Sequence, residues 1–210
     1  MGKNYFSQLS NLFLHTGNFF NKVEKEKGYK KILFFYIIIA SIVIAVNFIF
    51  SVIIALANSN SHLIIDSFIS AVFGVGAAFA FPFIGSAIVH VGVLVFGGKK
   101  GYFNTFKPIT YASALGQIYN LIVIFISFLF FVSGFNFTNP ALASSSKLIF
   151  FALLILIIYL AWLVHVIYAQ IIGIAKFQKI TKLRAFLSII FIPLIIIIIT
   201  TLIFFIIFQI

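Results

Sequence analysis

The 210-residue chain contains no cysteine. Disulfides, thiolate metal sites and a cysteine nucleophile are excluded, and the redox compartment is left open. Acidic residues are almost as scarce: Glu24, Glu26 and Asp66 stand against 14 lysines and arginines, for a formal net charge of +11. All three lie outside the long apolar stretches. A proton relay, a paired-carboxylate hydrolase or a carboxylate cation site therefore has no groups to work with inside a span. The chain also lacks HExxH, GxSxG and a phosphate-binding glycine loop. Gly97-Gly98-Lys99-Lys100-Gly101 has neither the spacing nor the preceding strand of a P-loop. These absences point away from an enzyme, and they imply no cofactor.

Charge of any kind is rare. Only 8% of residues are charged while 63% are hydrophobic, against about a quarter charged in soluble domains. So few charges cannot cover so much apolar surface in water, so the bilayer is the solvent. The basic excess sits beside hydrophobic runs. Anionic lipid head groups and topology control explain it, and no soluble basic domain is present to bind nucleic acid.

The expected fold class is all-α: a polytopic integral membrane protein with five transmembrane helices plus an amino-terminal interfacial helix. An amphipathic, basic cytoplasmic segment (1–31) precedes a single five-helix domain (32–210), with spans at about 32–57, 68–96, 109–132, 148–175 and 185–210. Over 4–23, Phe6, Leu9, Leu12, Phe13, Phe19, Phe20 and Val23 recur near helical spacing, which reads as a helix lying on the membrane, weakened at Gly17. A partly ordered tail is the alternative. Glu24 and Glu26 dilute the lysine run that follows. Ala55-Leu56-Ala57 resembles a signal-peptidase site, but the apolar run is well over the roughly 7–15 residues of a signal h-region, so an uncleaved anchor is expected.

In the second span Ser70, Gly74, Ala78, Pro82, Ser86 and His90 follow at steps of four, a face that lets another helix approach closely. Pro82 removes a ladder hydrogen bond, and a kink or break is expected there. Asn136-Phe137-Thr138 matches a glycosylation sequon. Thirteen of the 14 Lys and Arg residues fall in the amino-terminal segment and the second and fourth loops. Those parts should face the cytoplasm, leaving the carboxyl terminus outside.

The central loop carries Gly97, Gly98, Lys99, Lys100, Gly101, Phe103, Thr105, Phe106, Lys107, Pro108 and Tyr111-Ala112-Ser113. Its glycines suit tight bends, its lysines an aqueous surface, and Pro108 a first helical turn. With His90 before it, this region resembles the signature of the Yip domain family, the Yip-one superfamily of Ypt/Rab-interacting membrane proteins. There a helix ends in a glycine-rich turn, and a Gly-to-Thr-Phe stretch leads into a "YAS" helix start. The second half agrees: Trp162 late in a helix, Gly173 at its end, a lysine-rich turn, then Arg184-Ala185-Phe186 opening a helix that contains Pro193. The resemblance covers about 29–210 and implies five spans with a cytoplasmic amino terminus. Gly97, Gly98, Gly101, Phe106, Tyr111 and Pro82 would be its structural residues. Many relatives place a proline shortly after "YAS"; here Ala114-Leu115-Gly116 follows. The short amino-terminal segment implies a prokaryotic-type member in a prokaryotic cell membrane, and GTPase binding is carried over to no residue.

Inside the spans the polar candidates are His90, Gln117, Asn120, His165 and Tyr168. They are expected within about 7–17 Å of the cytoplasmic helix ends, at 1.5 Å per residue. They form either a cytoplasm-facing vestibule or plain interhelical hydrogen bonds. Two histidines alone do not make a metal site. The expected function is a non-enzymatic membrane-organising or adaptor protein. Its basic loops, through Lys99, Lys100, Lys107, Lys176, Lys179, Lys182 and Arg184, would engage anionic head groups, another membrane protein or a second copy. The alternative is a small-solute transporter or lipid-moving protein that uses the vestibule.

Overall fold

The computed structural model describes residues 5–134 and 145–207. Among them every regular element is a helix: α1 (Tyr5–Leu14), α2 (Thr16–Lys22), α3 (Tyr29–Ala57), α4 (Ser61–Val95), α5 (Phe103–Val132), α6 (Ser145–Gln178) and α7 (Lys182–Ile207). Helices α3 to α7 are each long and apolar enough to cross a membrane. Their large side chains point outward, with Phe73 75% and Phe205 67% exposed. That inverts a soluble domain and suits hydrocarbon as the surroundings. The chain is an integral membrane protein of five spanning helices. The Asn136 sequon lies outside the described residues.

Each helix begins earlier than its apolar run. Backbone hydrogen bonding propagates through polar residues once a turn is nucleated, so hydropathy marks the lipid-facing length and understates the helix. Helix α5 starts at Phe103, which puts Pro108 in its second turn instead of its first. Helix α4 continues through Pro82 without a break. The turns that end α3, α4 and α6 are of Schellman type. At α4, Gly98 N–H bonds the Val93 carbonyl (2.8 Å) and Gly97 N–H the Leu94 carbonyl (3.2 Å), with Gly97 at φ +90°. That left-handed turn requires a residue without a Cβ penalty.

The chain folds as two compact units. The first comprises 1–33, 80–112 and 167–210; the second comprises 34–79 and 113–166. In the first, Val89, Val93, Ile109, Ile174, Ala185 and Ile189 form an apolar core. Glycines let its helices touch: a Cβ on Gly92 would strike the Ser188 carbonyl, and one on Gly173 would strike Pro108 and the Phe20 ring. In the second, ring contacts dominate, with Phe50 stacked on Phe128 at 4.1 Å and Phe130 against Phe151 at 4.7 Å.

The amino-terminal segment differs from a single membrane-surface helix. It breaks at His15 (φ −136°, ψ 51°), giving α1 and α2, while Gly17 sits inside α2. Leu12, Phe19, Phe20 and Val23 are buried in protein. Phe19 meets the edge of Tyr111 at 4.8 Å, and Phe20 meets Phe177 at 5.7 Å. The protein's own rings take up the apolar face that would otherwise lie in lipid.

Candidate functional site

The chemistry-bearing residues of the first unit gather around two side chains, Lys107 and Gln178. Lys107 belongs to helix α5, one turn past its start, and only 2% of it is exposed. This corrects its reading as a loop lysine available to head groups. Its ammonium donates to the backbone carbonyls of Val23 (3.3 Å), Glu24 (3.1 Å) and Glu26 (2.8 Å), just beyond the end of α2. It also lies over the Phe177 and Phe103 rings, 4.7 and 5.2 Å from their centroids. Carbonyl oxygens past a helix end and aromatic faces are both electron-rich, so they solvate the buried cation, with the Glu24 carboxylate near enough to favour its charge.

The two glutamates of the same segment are also engaged. Glu24 pairs with Lys176 at 3.2 Å. Glu26 pairs with Lys31 and accepts from the Tyr111 hydroxyl at 2.6 Å. Lys176 also reaches Asn21. Glu24 and Glu26 thus bind the segment to α3, α5 and α6, a role their dilution of a lysine run does not reveal.

Gln178, the last residue of α6, is almost fully buried. Its Oε1 accepts from the Lys100 backbone N–H (3.0 Å), and its Nε2 donates to the Gly101 carbonyl (3.0 Å) and to Thr105 Oγ1 (2.9 Å). Thr105 shares a second bond of 2.8 Å with His90 Nδ1. The Thr105 hydroxyl therefore links the Gln178 amide to the His90 imidazole. His90 packs edge-on against Tyr102 at 5.5 Å, and the Tyr102 hydroxyl donates to the Phe83 carbonyl at 2.8 Å. Burial, with the nearby Tyr29 second, pushes the Tyr102 phenol above its usual range, so it stays a donor.

The glycine loop is shaped to receive this amide. Gly101 has φ +79°, and a Cβ on Gly98 would meet Val93 and crowd Gln178 Oε1 at 3.1 Å. Of the family-signature residues, Phe106 and Tyr111 are buried core and Pro82 is buried in α4. Gln178 carried no signal in the sequence, since it sits between Phe177 and Lys179, past the apolar run. An amide among lysines reads as solvated surface.

The other polar candidates scatter. In the second unit His165 Nδ1 and the Tyr119 hydroxyl bond at 2.9 Å, Gln117 is half-buried and Asn120 exposed. Because α5 starts early, Gln117 and Asn120 lie about 21 and 26 Å from its first residue. Tyr168 is 52% exposed on α6. Among the described residues no three His, Cys, Asp or Glu side chains come together as a metal site would require.

What remains at the surface is cationic. Lys99, Lys100, Lys179, Lys182 and Arg184 are exposed. The Arg184 guanidinium sits beside Gly97, 3.5 Å from where a Cβ would stand. A family model described as the Yip1 domain matches residues 10–204. No curated protein and no solved structure matches the chain.

Proposed function

The chain belongs to the Yip1 domain family, and on that premise we propose that it is a non-enzymatic membrane-organising or adaptor protein acting through its basic surface. Lys99, Lys100, Lys179, Lys182 and Arg184 would face the cytoplasm and engage anionic lipid head groups or an acidic face of a membrane-protein partner. One observation carries this reading. Glu24 and Glu26, two of the three acidic residues, are consumed inside the fold by Lys176, Lys31 and Tyr111. The loop cations are left without a carboxylate partner among the described residues. A rigid loop supports the same reading: Gln178 pins Lys100 and Gly101 by backbone bonds, so the cations are presented on a fixed frame.

The one-sided distribution of Lys and Arg favours a cytoplasmic amino terminus and an outside carboxyl terminus. The cell membrane of a prokaryote is the setting this reading favours. The test is binding of the full-length protein, held in phosphatidylcholine nanodiscs, to vesicles rich in phosphatidylglycerol. At about 1 kcal/mol per cation near an anionic surface, Lys99→Gln, Lys100→Gln and Arg184→Gln together should weaken binding about a hundredfold. Unchanged binding by the triple variant would count against the proposal.

A further inference from the structure

Among the polar side chains inside the spans that make no hydrogen bond with any described residue are Asn47 on α3, Ser70 on α4 and Asn120 on α5. All three line one groove of about 320 Å³ within the second unit, together with Ser67, Gly74 and Tyr159. The Ser67 hydroxyl donates to the Leu63 carbonyl at 2.6 Å, which leaves its lone pairs to accept from a guest. At 1.5 Å per residue, Ser70, Asn47 and Asn120 lie about 14, 15 and 18 Å from the helix ends at Ser61, Ala57 and Val132. The three groups thus lie at similar distances along their own helices.

A polar group without a partner in hydrocarbon is costly, and two amides and a hydroxyl around one opening call for a guest that hydrogen-bonds. The lining contains no charged side chain. A phosphate or ammonium group would enter with nothing to balance it, so a charged head group does not fit. The remaining wall is aliphatic and aromatic carbon, suited to acyl chains. Small-molecule sites begin at about 300 Å³, enough here for a glycerol backbone, its ester groups and a few methylenes.

We propose that this groove binds an uncharged, hydroxyl-bearing lipid of the diacylglycerol class. The hydroxyl and ester oxygens meet Asn47, Ser70 and Asn120, and the chains lie along the apolar wall. The groove and the basic surface share no residue, so vesicle binding and groove occupancy are tested by different variants and fail independently.

The experiment uses the full chain in phosphatidylcholine nanodiscs with a diazirine-bearing diacylglycerol, mapped by mass spectrometry. Adducts are expected on α3, α4 and α5 around Asn47, Ser70 and Asn120. Unlabelled diacylglycerol should compete, while phosphatidylglycerol should not. The pair Asn47→Leu and Asn120→Leu should cut labelling about fivefold or more, since two hydrogen-bonding partners are lost. Gly74→Leu tests the same site by filling space. A Cβ there meets only the Ile44 side chain, at 3.5 Å, so this variant keeps the proposal testable if the asparagine pair fails to fold. Labelling that persists in both variants, or equal competition by phosphatidylglycerol, would overturn it. So would reaction of Asn47→Cys with a hydrophilic thiol reagent in the presence of saturating diacylglycerol, which marks a groove filled with water.

Discussion

The Lys107 ammonium donates to the Glu26 backbone carbonyl across 2.8 Å, joining positions 81 residues apart in the chain. With the Val23 and Glu24 carbonyls it anchors the amino-terminal segment to α5, while the ion pairs of Glu24 and Glu26 attach the same segment to α6 and α3. The segment is therefore part of the fold.

Replacing Lys107 by Met keeps the length of the side chain and removes the donor. One buried and two partly buried carbonyls then lose a charged partner, a cost of about 2 kcal/mol after the relief of desolvating the ammonium. Tryptic cleavage at Lys22, Lys25 or Lys27 should speed up roughly thirtyfold, following that opening energy. Lys99→Met, at an exposed position, should leave those sites as they are. Equal cleavage in the two variants would show that the carbonyl contacts do not retain the segment.

Gln178→Ala should lower the melting temperature in detergent by about 4–8 °C, from about 2 kcal/mol in a chain of this size. The loss falls on the Lys100 N–H, the Gly101 carbonyl and Thr105 together. Gln178→Glu should be at least as harmful, although it is nearly isosteric. Its carboxylate turns an oxygen toward the Gly101 carbonyl and buries a charge. A glutamate variant as stable as the wild type would show that the amide does not clamp the loop.

Glycines in α4 should separate into two groups when replaced by alanine. At Gly92 the new methyl runs into the Ser188 carbonyl, which is backbone and cannot rotate away. Overpacking of this kind costs about 1–3 kcal/mol. Gly76 and Gly85 have open space at the same point, and alanine there should gain about 0.5–1 kcal/mol from helix propensity. Thermal melts of the three variants, run side by side, settle the order.

Vesicle binding through the basic surface should respond to salt. Exposed cations are screened over about 10 Å at 0.1 M ionic strength and about 3 Å at 1 M. Binding to phosphatidylglycerol vesicles should fall steeply over that range. A salt-insensitive interaction would point to apolar contacts and away from Lys99, Lys100 and Arg184.

Much of the architecture was legible in the sequence. A chain so apolar and so poorly charged has one solvent available to it, and the length of each apolar run sets the number of spanning helices. The glycines at 97 and 101 announced a tight turn because left-handed backbone favours them. The Yip-type signature was readable for the same reason, being made of backbone-critical glycines and aromatics at set spacings.

Side-chain partners were not legible, because they depend on which helices touch. Lys107 looked like its neighbours Lys99 and Lys100, and only the packing of α2, α5 and α6 around it made it a buried cation. Gln178 is local to nothing it binds, since its three partners lie between 73 and 78 residues earlier. Asn120 was grouped with Gln117, His90, His165 and Tyr168, and Asn47 lay alone on another span, until the packing of α3, α4 and α5 brought Asn47 and Asn120 to one groove. Composition and periodicity are properties of one segment at a time, and hydropathy determined the segments. Hydrogen bonds and ion pairs decay within a few ångströms, so only the tertiary structure decided which polar groups meet and which are left open to a guest.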